Sequence, residues 1–296
     1  LGCDMAENGM SIKSNTEFCK FSYNIPSGVK IENDNVVLDC NGAILQGSNK
    51  AGIGISNLGG KDNVEITNCN VKDYDKGISA MGSNVNPALG NNINNNIINN
   101  NNFGLFVKNF NSGFINGNSI TNNLNGIVLE LESRGNDITN NDLVRNSQSA
   151  LKNNQNIDID ALSNWWGSKY KLGITHRIVD FFDAGNLGRV SYTPFLVAPL
   201  FADETNIAPV MESIEDRTID IGEKLTLQLN GSDPDKDNLI YSSDADVSLA
   251  GKDFEFNSIT GEFSFTPSMQ DFGLYKIIFE VSDGYLTDEK ILRLTV

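Results

Sequence analysis

The sequence predicts an all-β protein in two parts, a parallel β-helix (a solenoid) followed by an antiparallel β-sandwich. A 22- to 23-residue repeat, an excess of asparagine in the same region, and a change of composition in the last third lead to this prediction. Of the 42 Asn in the 296-residue chain, 36 precede residue 161. From residue 205 onward there are 18 acidic and 7 basic side chains, a net charge of −11, against −5 for the first 204 residues. The predicted organisation is an N-terminal cap at 1–30, the β-helix at 31–200, a linker at 201–208 and the sandwich at 209–296.

The overall charge and hydropathy exclude several classes of protein. The formal net charge of −16 argues against a nucleic-acid partner, because nucleic-acid-binding surfaces are basic. No apolar run approaches the roughly 20 residues of a transmembrane helix, so no membrane insertion of this segment is expected. The chain begins with Leu1 and shows no signal peptide, which indicates a processed chain or a fragment.

The cysteines all lie in the first quarter, where the cap is predicted. Cys3, Cys19, Cys40 and Cys69 allow three pairings, and none of them forms a C-x-x-C motif typical of zinc sites. We favour Cys3–Cys19 within the cap and Cys40–Cys69 between neighbouring coils, which suits an oxidising compartment. Reduced Cys40 and Cys69 thiols buried in a core are the alternative.

The repeat itself has the pattern Ile-x-x-Asn-x-Ile-x-x-Asn-x-x-Gly-Ile or a close variant. Gap-free copies begin at Ile93, Ile115 and Ile138, and looser ones at Val36 and Ile66. The period is too short for a helix-pair solenoid and lacks the leucine-rich pattern. One coil of a parallel β-helix per repeat remains, with coils about 4.8 Å apart.

The asparagines recur at fixed positions of each repeat. Asn tolerates left-handed backbone angles at turns, and its amide can hydrogen-bond the same residue of the next coil. The two expected ladders are Asn96, Asn118 and Asn141, and Asn101, Asn123 and Asn146. After the last repeat, Trp165 and Trp166 either cover the final coil or form a sugar-stacking platform.

The last third alternates apolar and polar residues. Leu225–Leu229, Tyr275–Val281 and Leu292–Val296 read as strands, with Lys276, Ile278 and Glu280 on the face opposite to Phe279 and Val281. Turn signals recur between such segments, and about seven strands in about 90 residues are typical of a sandwich.

The β-helix part resembles a known family. The repeat, together with Asn164-Trp-Trp-Gly167 and Val190–Leu196, is similar to the right-handed parallel β-helix of carbohydrate-binding and sugar-hydrolysing proteins, which have a pectate-lyase-like fold. The resemblance covers roughly residues 30 to 197. It implies an exported protein, but this fold serves many activities and so does not specify one.

The sandwich part resembles cadherin-like and immunoglobulin-like (Ig-like) surface modules. The matching phrases are Ala208-Pro-Val210, Ile221-Gly-Glu223, Gly231-Ser-Asp-Pro-Asp-Lys-Asp237, Thr260-Gly-Glu-Phe-Ser-Phe-Thr-Pro267 and Val281-Ser-Asp-Gly284. Such modules act as spacers or adhesion units on cell surfaces, so the resemblance implies an extracellular or cell-surface location.

A Ca2+ site is expected at the junction of the two domains. Three carboxylates at alternate positions of one loop provide the oxygen ligands that Ca2+ prefers, and the cadherin-like resemblance implies a later Asp and a linker Asn beside them. The alternative is a solvated acidic turn, for which Asp-Pro-Asp is common. The candidate ligands are Asp233, Asp235, Asp237 and Asp283, with Asn206 and Asp203 from the linker and Asn238 nearby.

Catalytic candidates are few. Two carboxylate pairs flank one apolar residue and should each project from one strand face, where a pair can act as acid and base. Arg134 and Arg145 lie within a coil of these acids, but solvated charge and surface ion pairing explain them equally, so no catalytic residue is assigned. The pairs are Glu130 with Glu132 and Asp158 with Asp160.

The expected function is that of a non-catalytic structural or adhesive surface protein: a surface-layer (S-layer) subunit, a sheath or filament subunit, or an adhesin. The expected partners are further copies or other surface-protein subunits. The alternative is a secreted polysaccharide-binding or polysaccharide-processing protein. Four phenylalanines cluster near one coil, with Phe106 and Phe110 as the candidates for an outward contact patch. They are Phe103, Phe106, Phe110 and Phe114.

Overall fold

The first part of the chain winds through three parallel β-sheets, and most of its turns contribute one strand to each sheet. The computed structural model describes residues 2–201 and 205–296. Neighbouring strands in each sheet come from successive turns, so the chain forms a coil of about 7 turns. The parallel β-helix predicted from the repeat is confirmed.

The sheets differ in length, with eight strands in the first, six in the second and five in the third. The first sheet contains β1 (Met10–Ile12), β4 (Val29–Ile31), β7 (Ile53–Leu58), β10 (Lys76–Met81), β14 (Phe103–Lys108), β18 (Asn125–Glu130), β20 (Ser149–Asn154) and β22 (Ile178–Val179). The second contains β2 (Thr16–Glu17), β5 (Val37–Asp39), β8 (Glu65–Thr67), β12 (Asn92–Asn94), β16 (Phe114–Asn116) and β19 (Asp137–Thr139). The third contains β3 (Ser22–Asn24), β6 (Ile44–Gln46), β9 (Asn70–Lys72), β13 (Ile97–Asn99) and β17 (Ser119–Thr121). Two short parallel pairs are β11 (Ala88–Leu89) with β15 (Phe110–Asn111) and β21 (Ile159–Asp160) with β23 (Val190–Ser191).

Aliphatic side chains fill the coil in columns, because the repeat brings the same position of each turn into register. In the second sheet Ile66, Ile93, Ile115 and Ile138 pair in sequence, and all are buried. Comparable columns run through the other two sheets. Burial of these side chains stabilises the coil by removing apolar surface from water.

The asparagine ladders form as predicted. Asn96 Nδ2 donates to Asn118 Oδ1 at 3.0 Å, and Asn118 donates to Asn141 at 2.9 Å. The column continues one step beyond the prediction, from Asn141 to Asn164 at 2.9 Å. The second ladder, Asn101 to Asn123 to Asn146, has two steps of 3.1 Å.

The left-handed turn residue is not the ladder residue, contrary to expectation. The positive φ angles fall on the residue immediately before each ladder position, such as Asn95 (54°), Asn100 (55°) and Asn140 (53°). Gly117 and Arg145 occupy that position in other turns. Turn formation and amide bonding are therefore divided between adjacent residues, which explains the many Asn-Asn pairs.

The N-terminal segment predicted as a cap already contributes strands to the coil. β1, β2 and β3 pair with β4, β5 and β6 in the first, second and third sheets. Disulfides join Cys3 to Cys19 and Cys40 to Cys69, with Cα atoms 4.8 and 4.7 Å apart, so the favoured pairing is confirmed. The backbone N–H of Cys69 donates to Asn96 Oδ1, which places the second disulfide in line with the first ladder.

Both tryptophans are buried at the end of the repeat. Trp165 forms a parallel bridge with Asp142, and Trp165 and Trp166 are 1% and 0% exposed. Neither ring is available as a sugar platform, so covering the last coil is the role that agrees with the structure.

The second compact unit is a β-sandwich formed by Gly167–His176 together with the residues from Val197 onward. Its four-stranded sheet contains β25 (Arg217–Thr218), β32 (Thr287–Thr295), β31 (Leu274–Ser282) and β28 (Ile240–Ser243). Its three-stranded sheet contains β26 (Leu225–Gln228), β30 (Glu262–Phe265) and β29 (Phe254–Asn257), and β24 (Val210–Met211) pairs with β27 (Gly231–Ser232). The helices are α1 (Lys171–Thr175) and α2 (Ala245–Ser248), with a 3₁₀ turn at Met269–Asp271.

All these strand pairs are antiparallel except β25 with β32. The core lies between the sheets, with Phe263 and Phe279 in edge contact at 5.2 Å and both 0% exposed. Alternation in β31 holds for Ile277, Phe279 and Val281. Glu280, assigned by the alternation to the opposite face, is also 0% exposed, so that face is covered at this position.

Candidate functional site

The loop between β27 and β28 brings three carboxylates together. Asp233, Asp235 and Asp237 each offer a carboxylate oxygen, and these oxygens lie within 4.8 Å of one another. Asp233 Oδ1 organises the loop by accepting from the backbone N–H of Asp235 at 2.8 Å and of Asp237 at 3.0 Å. Lys236 adopts a left-handed φ of 66° between them. The alternating acids of the sequence thus converge because the first one caps its own turn.

Asp283 is held in a separate, buried turn between β31 and β32. Its Oδ1 accepts from the N–H groups of Tyr285 at 2.7 Å and Leu286 at 2.8 Å, and the residue is 1% exposed. Its Oδ2 accepts from Asn206 Nδ2 at 2.8 Å. Asp283 is therefore bonded to the linker residue Asn206. It is not one of the three carboxylates that lie within 4.8 Å of one another.

The linker contacts both acidic turns through consecutive residues. While Asn206 bonds Asp283, the N–H of Ile207 donates to Asp235 Oδ2 at 2.7 Å. Asn238 is exposed beside Asp237. Asp203, the other linker candidate, lies outside the described residues.

These residues fit a divalent cation. Asp233 Oδ2 is buried and has no hydrogen-bond partner among the described residues, and a buried carboxylate oxygen is costly to leave in that state. Three like charges within 4.8 Å repel one another, and a cation would offset that repulsion. The hard oxygen donors are those that Ca2+ prefers.

The predicted acid–base pairs on the coil do not share one arrangement. β18 ends at Glu130, and Leu131 and Glu132 both turn left-handed, so the expected projection of Glu130 and Glu132 from one strand face is wrong. Glu132 forms an ion pair with Arg134, and Glu130 accepts from Asn154 at 3.1 Å.

Asp158 and Asp160 do flank the buried Ile159, and both are exposed. Asp158 accepts from the backbone N–H of Arg189 at 2.7 Å. Arg145, the other basic candidate, occupies a left-handed turn position before Asn146. Within residues 2–201, no three His, Cys, Asp or Glu side chains bring their ligand atoms within 4.8 Å of one another.

The phenylalanine cluster is divided by the structure. Phe106 lies between inward residues Leu105 and Val107, so it points outward from the first sheet. It meets Phe103 edge-on at 5.7 Å, and Lys76 Nζ lies 5.1 and 5.4 Å from the two ring centroids. Phe110 is 0% exposed, so its expected outward position was wrong, whereas Phe114 is 51% exposed.

A depression of ≈ 420 Å³ at one corner of the coil offers little reactive chemistry. Its lining includes Asn24, Gln46, Lys50 and Asp73. The Asp73 carboxylate accepts from the Gln46 amide at 3.1 Å and from Asn100, so it serves the turns of the coil.

A buried polar network in the second unit was not predicted from the sequence. Glu280 Oε1 accepts from Ser168 and Ser242, both at 2.8 Å. Ser168 and Glu280 are 112 residues apart, and no local pattern signals their contact. Burial raises the pKa of Glu280, and the bonds from Ser242, Ser168 and Lys169 oppose that shift.

Comparison with known proteins identifies one region. The family model for the bacterial Ig domain matches residues 199–295, where the antiparallel sheets lie. The chain thus carries a β-helix followed by an Ig-like module, as the two resemblances indicated. Bacterial Ig domains are typically extracellular or surface-exposed, which suggests a surface or adhesion-type role. No curated protein matches the sequence, and in the described parts of the chain no helix is long and apolar enough to cross a membrane.

Proposed function

We propose that this chain is a non-catalytic structural or adhesive protein of the cell surface, such as an S-layer, sheath or filament subunit or an adhesin. The observation that carries the proposal is the bacterial Ig domain at residues 199–295 behind a β-helix. Two disulfides support an extracellular location, because such bonds persist in oxidising compartments.

The chemistry of the coil supports a structural role. Its buried asparagines bond one another and the backbone. Among the candidate carboxylates, Glu132 pairs with Arg134 of its own loop, and Asp158 accepts from the backbone N–H of Arg189. These contacts stabilise a repetitive scaffold. They account for the buried asparagines and the candidate carboxylates without a catalytic role in a hydrolase or lyase.

The partner we propose is a further copy of the chain or another surface-protein subunit, contacting the aromatic cluster of Lys76, Phe103 and Phe106. Aromatic residues are enriched at protein interfaces, where they contribute much of the binding energy. Phe106 points outward from the first sheet, and the half-buried cluster combines two rings with a cation.

Electron microscopy and sedimentation of the native protein test this proposal. We expect ordered arrays or filaments, and their loss in a Phe103→Ser, Phe106→Ser double variant. Phe114→Ser, on an exposed ring of the second sheet, is the matched control and should assemble normally. A native protein that stays monomeric at high concentration and binds no surface component would overturn the proposal.

Polysaccharide binding is the second candidate, and the same cluster favours it. Aromatic rings also stack on the faces of sugar rings, and a neighbouring ammonium group can donate hydrogen bonds to the sugar hydroxyls. Retention on a neutral glycan by the monomer, lost in the double variant and kept in Phe114→Ser, would select this function over assembly.

Calcium binding forms a further part of the proposal. Asp233, Asp235 and Asp237 would hold the ion, with Asp283 and the linker residue Asn206 beside them. The buried, unbonded Asp233 Oδ2 supports this assignment. A bound ion would neutralise the loop and fasten the linker at Ile207, whose N–H already bonds Asp235.

A further inference from the structure

A ten-residue segment of the second unit comes from an unexpected place in the chain. Gly167–His176 belongs to the second unit, although the chain on either side of it, up to Trp166 and from Arg177, belongs to the first. We call residues 167–176 the strap. It contains α1 and lies outside the residues that match the bacterial Ig domain.

The strap is packed like an internal element. Ser168 is 1% and Ile174 0% exposed, and Leu172 packs against the apolar core of the sandwich. α1 contacts β28. A Cβ added to Gly173 would lie 2.6 Å from both Ser168 Oγ and Ser242 Cβ, so the approach leaves no room for a side chain.

The carboxylate of Glu280 joins the strap to the sheet. Its Oε1 accepts from Ser168 Oγ at 2.8 Å and from the backbone N–H of Lys169 at 3.4 Å, both on the strap. Ser242 Oγ of β28 supplies another bond at 2.8 Å, and Lys169 Nζ lies 4.0 Å from Oε2. Of these four groups three belong to the strap.

The rim of this contact is also polar. Lys169 Nζ lies 3.1 Å from Glu289 Oε1, and the Tyr170 hydroxyl donates to the same oxygen at 3.2 Å. A buried carboxylate is tolerated only when it is paired and hydrogen-bonded. Without the strap, Glu280 would keep a single hydroxyl donor from this set, and the core beside Leu172 would be uncovered.

We propose that the strap is an integral element of the Ig-like module, latched by Glu280, so that the residues from Val197 onward do not complete the fold. The module is therefore a two-segment domain, and part of it is encoded before the last strands of the coil. The strap is not a surface loop of the β-helix.

Hydrogen exchange on the full chain tests this inference. Gly173→Leu should displace the strap, and amides of β28 and β31 should then exchange at least about tenfold faster, while those of β13 and β17 stay unchanged. Gly185→Leu is the matched control, because a Cβ there meets nothing within 4 Å. Trypsin cleavage after Lys169 and Lys171 reports displacement independently. Cleavage of the strap with wild-type protection of β28 and β31 would overturn the proposal.

A milder set of variants covers the case in which Gly173→Leu fails to fold. Ser168→Ala and Glu280→Gln, singly and together, form a double-mutant cycle. A non-additive loss of β28 and β31 protection is expected if the two residues form a latch. Additive effects would contradict the latch.

Discussion

A ladder asparagine satisfies groups on several turns at once. Asn118 Nδ2 donates to Asn141 Oδ1 and to the carbonyl of Ile93, and its Oδ1 accepts from the backbone and side chain of Asn96. The residue is 0% exposed, so water cannot replace these bonds without opening the coil. Each group left unbonded costs about 1–3 kcal/mol.

Asn118→Ala is therefore expected to lower the free energy of unfolding by about 3–5 kcal/mol, since it leaves several buried groups unbonded. Asn95→Gly is the matched control, because Asn95 is exposed and Gly117 holds the equivalent position one turn later. That variant should change stability by less than about 1 kcal/mol. Urea unfolding measures the free energy of unfolding of both variants. An Asn118→Ala variant as stable as Asn95→Gly would show that the ladder is dispensable.

Glu280 gives a second prediction at this scale. Because burial raises its pKa in the folded protein, Glu280 holds its proton to higher pH than in the unfolded chain. Its contribution to stability is fully present below the unfolded pKa, near 4.3, and falls as pH rises through the folded value. Lys169 faces the carboxylate and partly opposes this loss. Tyr170, Glu289 and Asp244 are further titratable groups beside this contact.

Glu280→Gln keeps the acceptor oxygen and removes the titration. We expect the variant to gain stability relative to the wild type as pH rises from 4 to 7, measured as the difference in unfolding free energy at each pH. A difference that stays constant across this range would show that Glu280 does not titrate in the folded protein.

At the scale of elements, the loop with Asp233, Asp235 and Asp237 is the feature that a bound cation would stabilise. Its turn is organised by Asp233, while the linker N–H of Ile207 fixes Asp235. A ligand that binds only the folded state stabilises it by about 2.7 kcal/mol at 100 times its Kd.

Calcium should therefore raise the melting temperature of the Ig-like module by at least about 5 °C, and EGTA should reverse the change. Asp235→Asn should abolish the response, and Asp253→Asn, an exposed acid outside this loop, should retain it. An identical melting temperature in calcium and in EGTA would leave only a solvated turn.

The repeat made the coil predictable, because columns of Ile and Asn require the same environment in every turn. Phe110 and Glu280 are both fully buried, and neither burial was predictable from the sequence pattern. Alternation assigns a face but not what covers it: Glu280 is covered by a strap 112 residues away. The predicted strand position of Glu132 was wrong because β18 ends at Glu130 and the chain then enters a left-handed turn. The spacing of the acidic residues does not reveal where the strand ends. The loop acids were found because their spacing is local.

For the whole molecule, charge is the property that constrains its partners. The net charge of −16 is carried mainly by the C-terminal third, where no cysteine occurs and the acidic loop lies. Like charges raise the energy of approach over a Debye length of about 8–10 Å at physiological ionic strength. The assembly proposed above would therefore need contacts that avoid, screen or bridge these charges, and the proposed calcium site offers one way to bridge them.

The same charge gives a prediction about anionic polysaccharides such as pectin and alginate. We expect no turnover of either by the purified protein, and weak binding at low salt, because an acidic surface repels a polyanion. The candidate acids do not offer a compensating site: Glu132 is paired with Arg134, and Asp158 bonds the backbone of Arg189. Product formation measured with and without Ca2+ is the assay, and Glu130→Gln and Asp158→Asn are the diagnostic variants. Rapid turnover that either variant abolishes would replace the structural role with a catalytic one. Turnover that survives both variants and stays with the protein through further purification would place a catalytic site elsewhere on the coil.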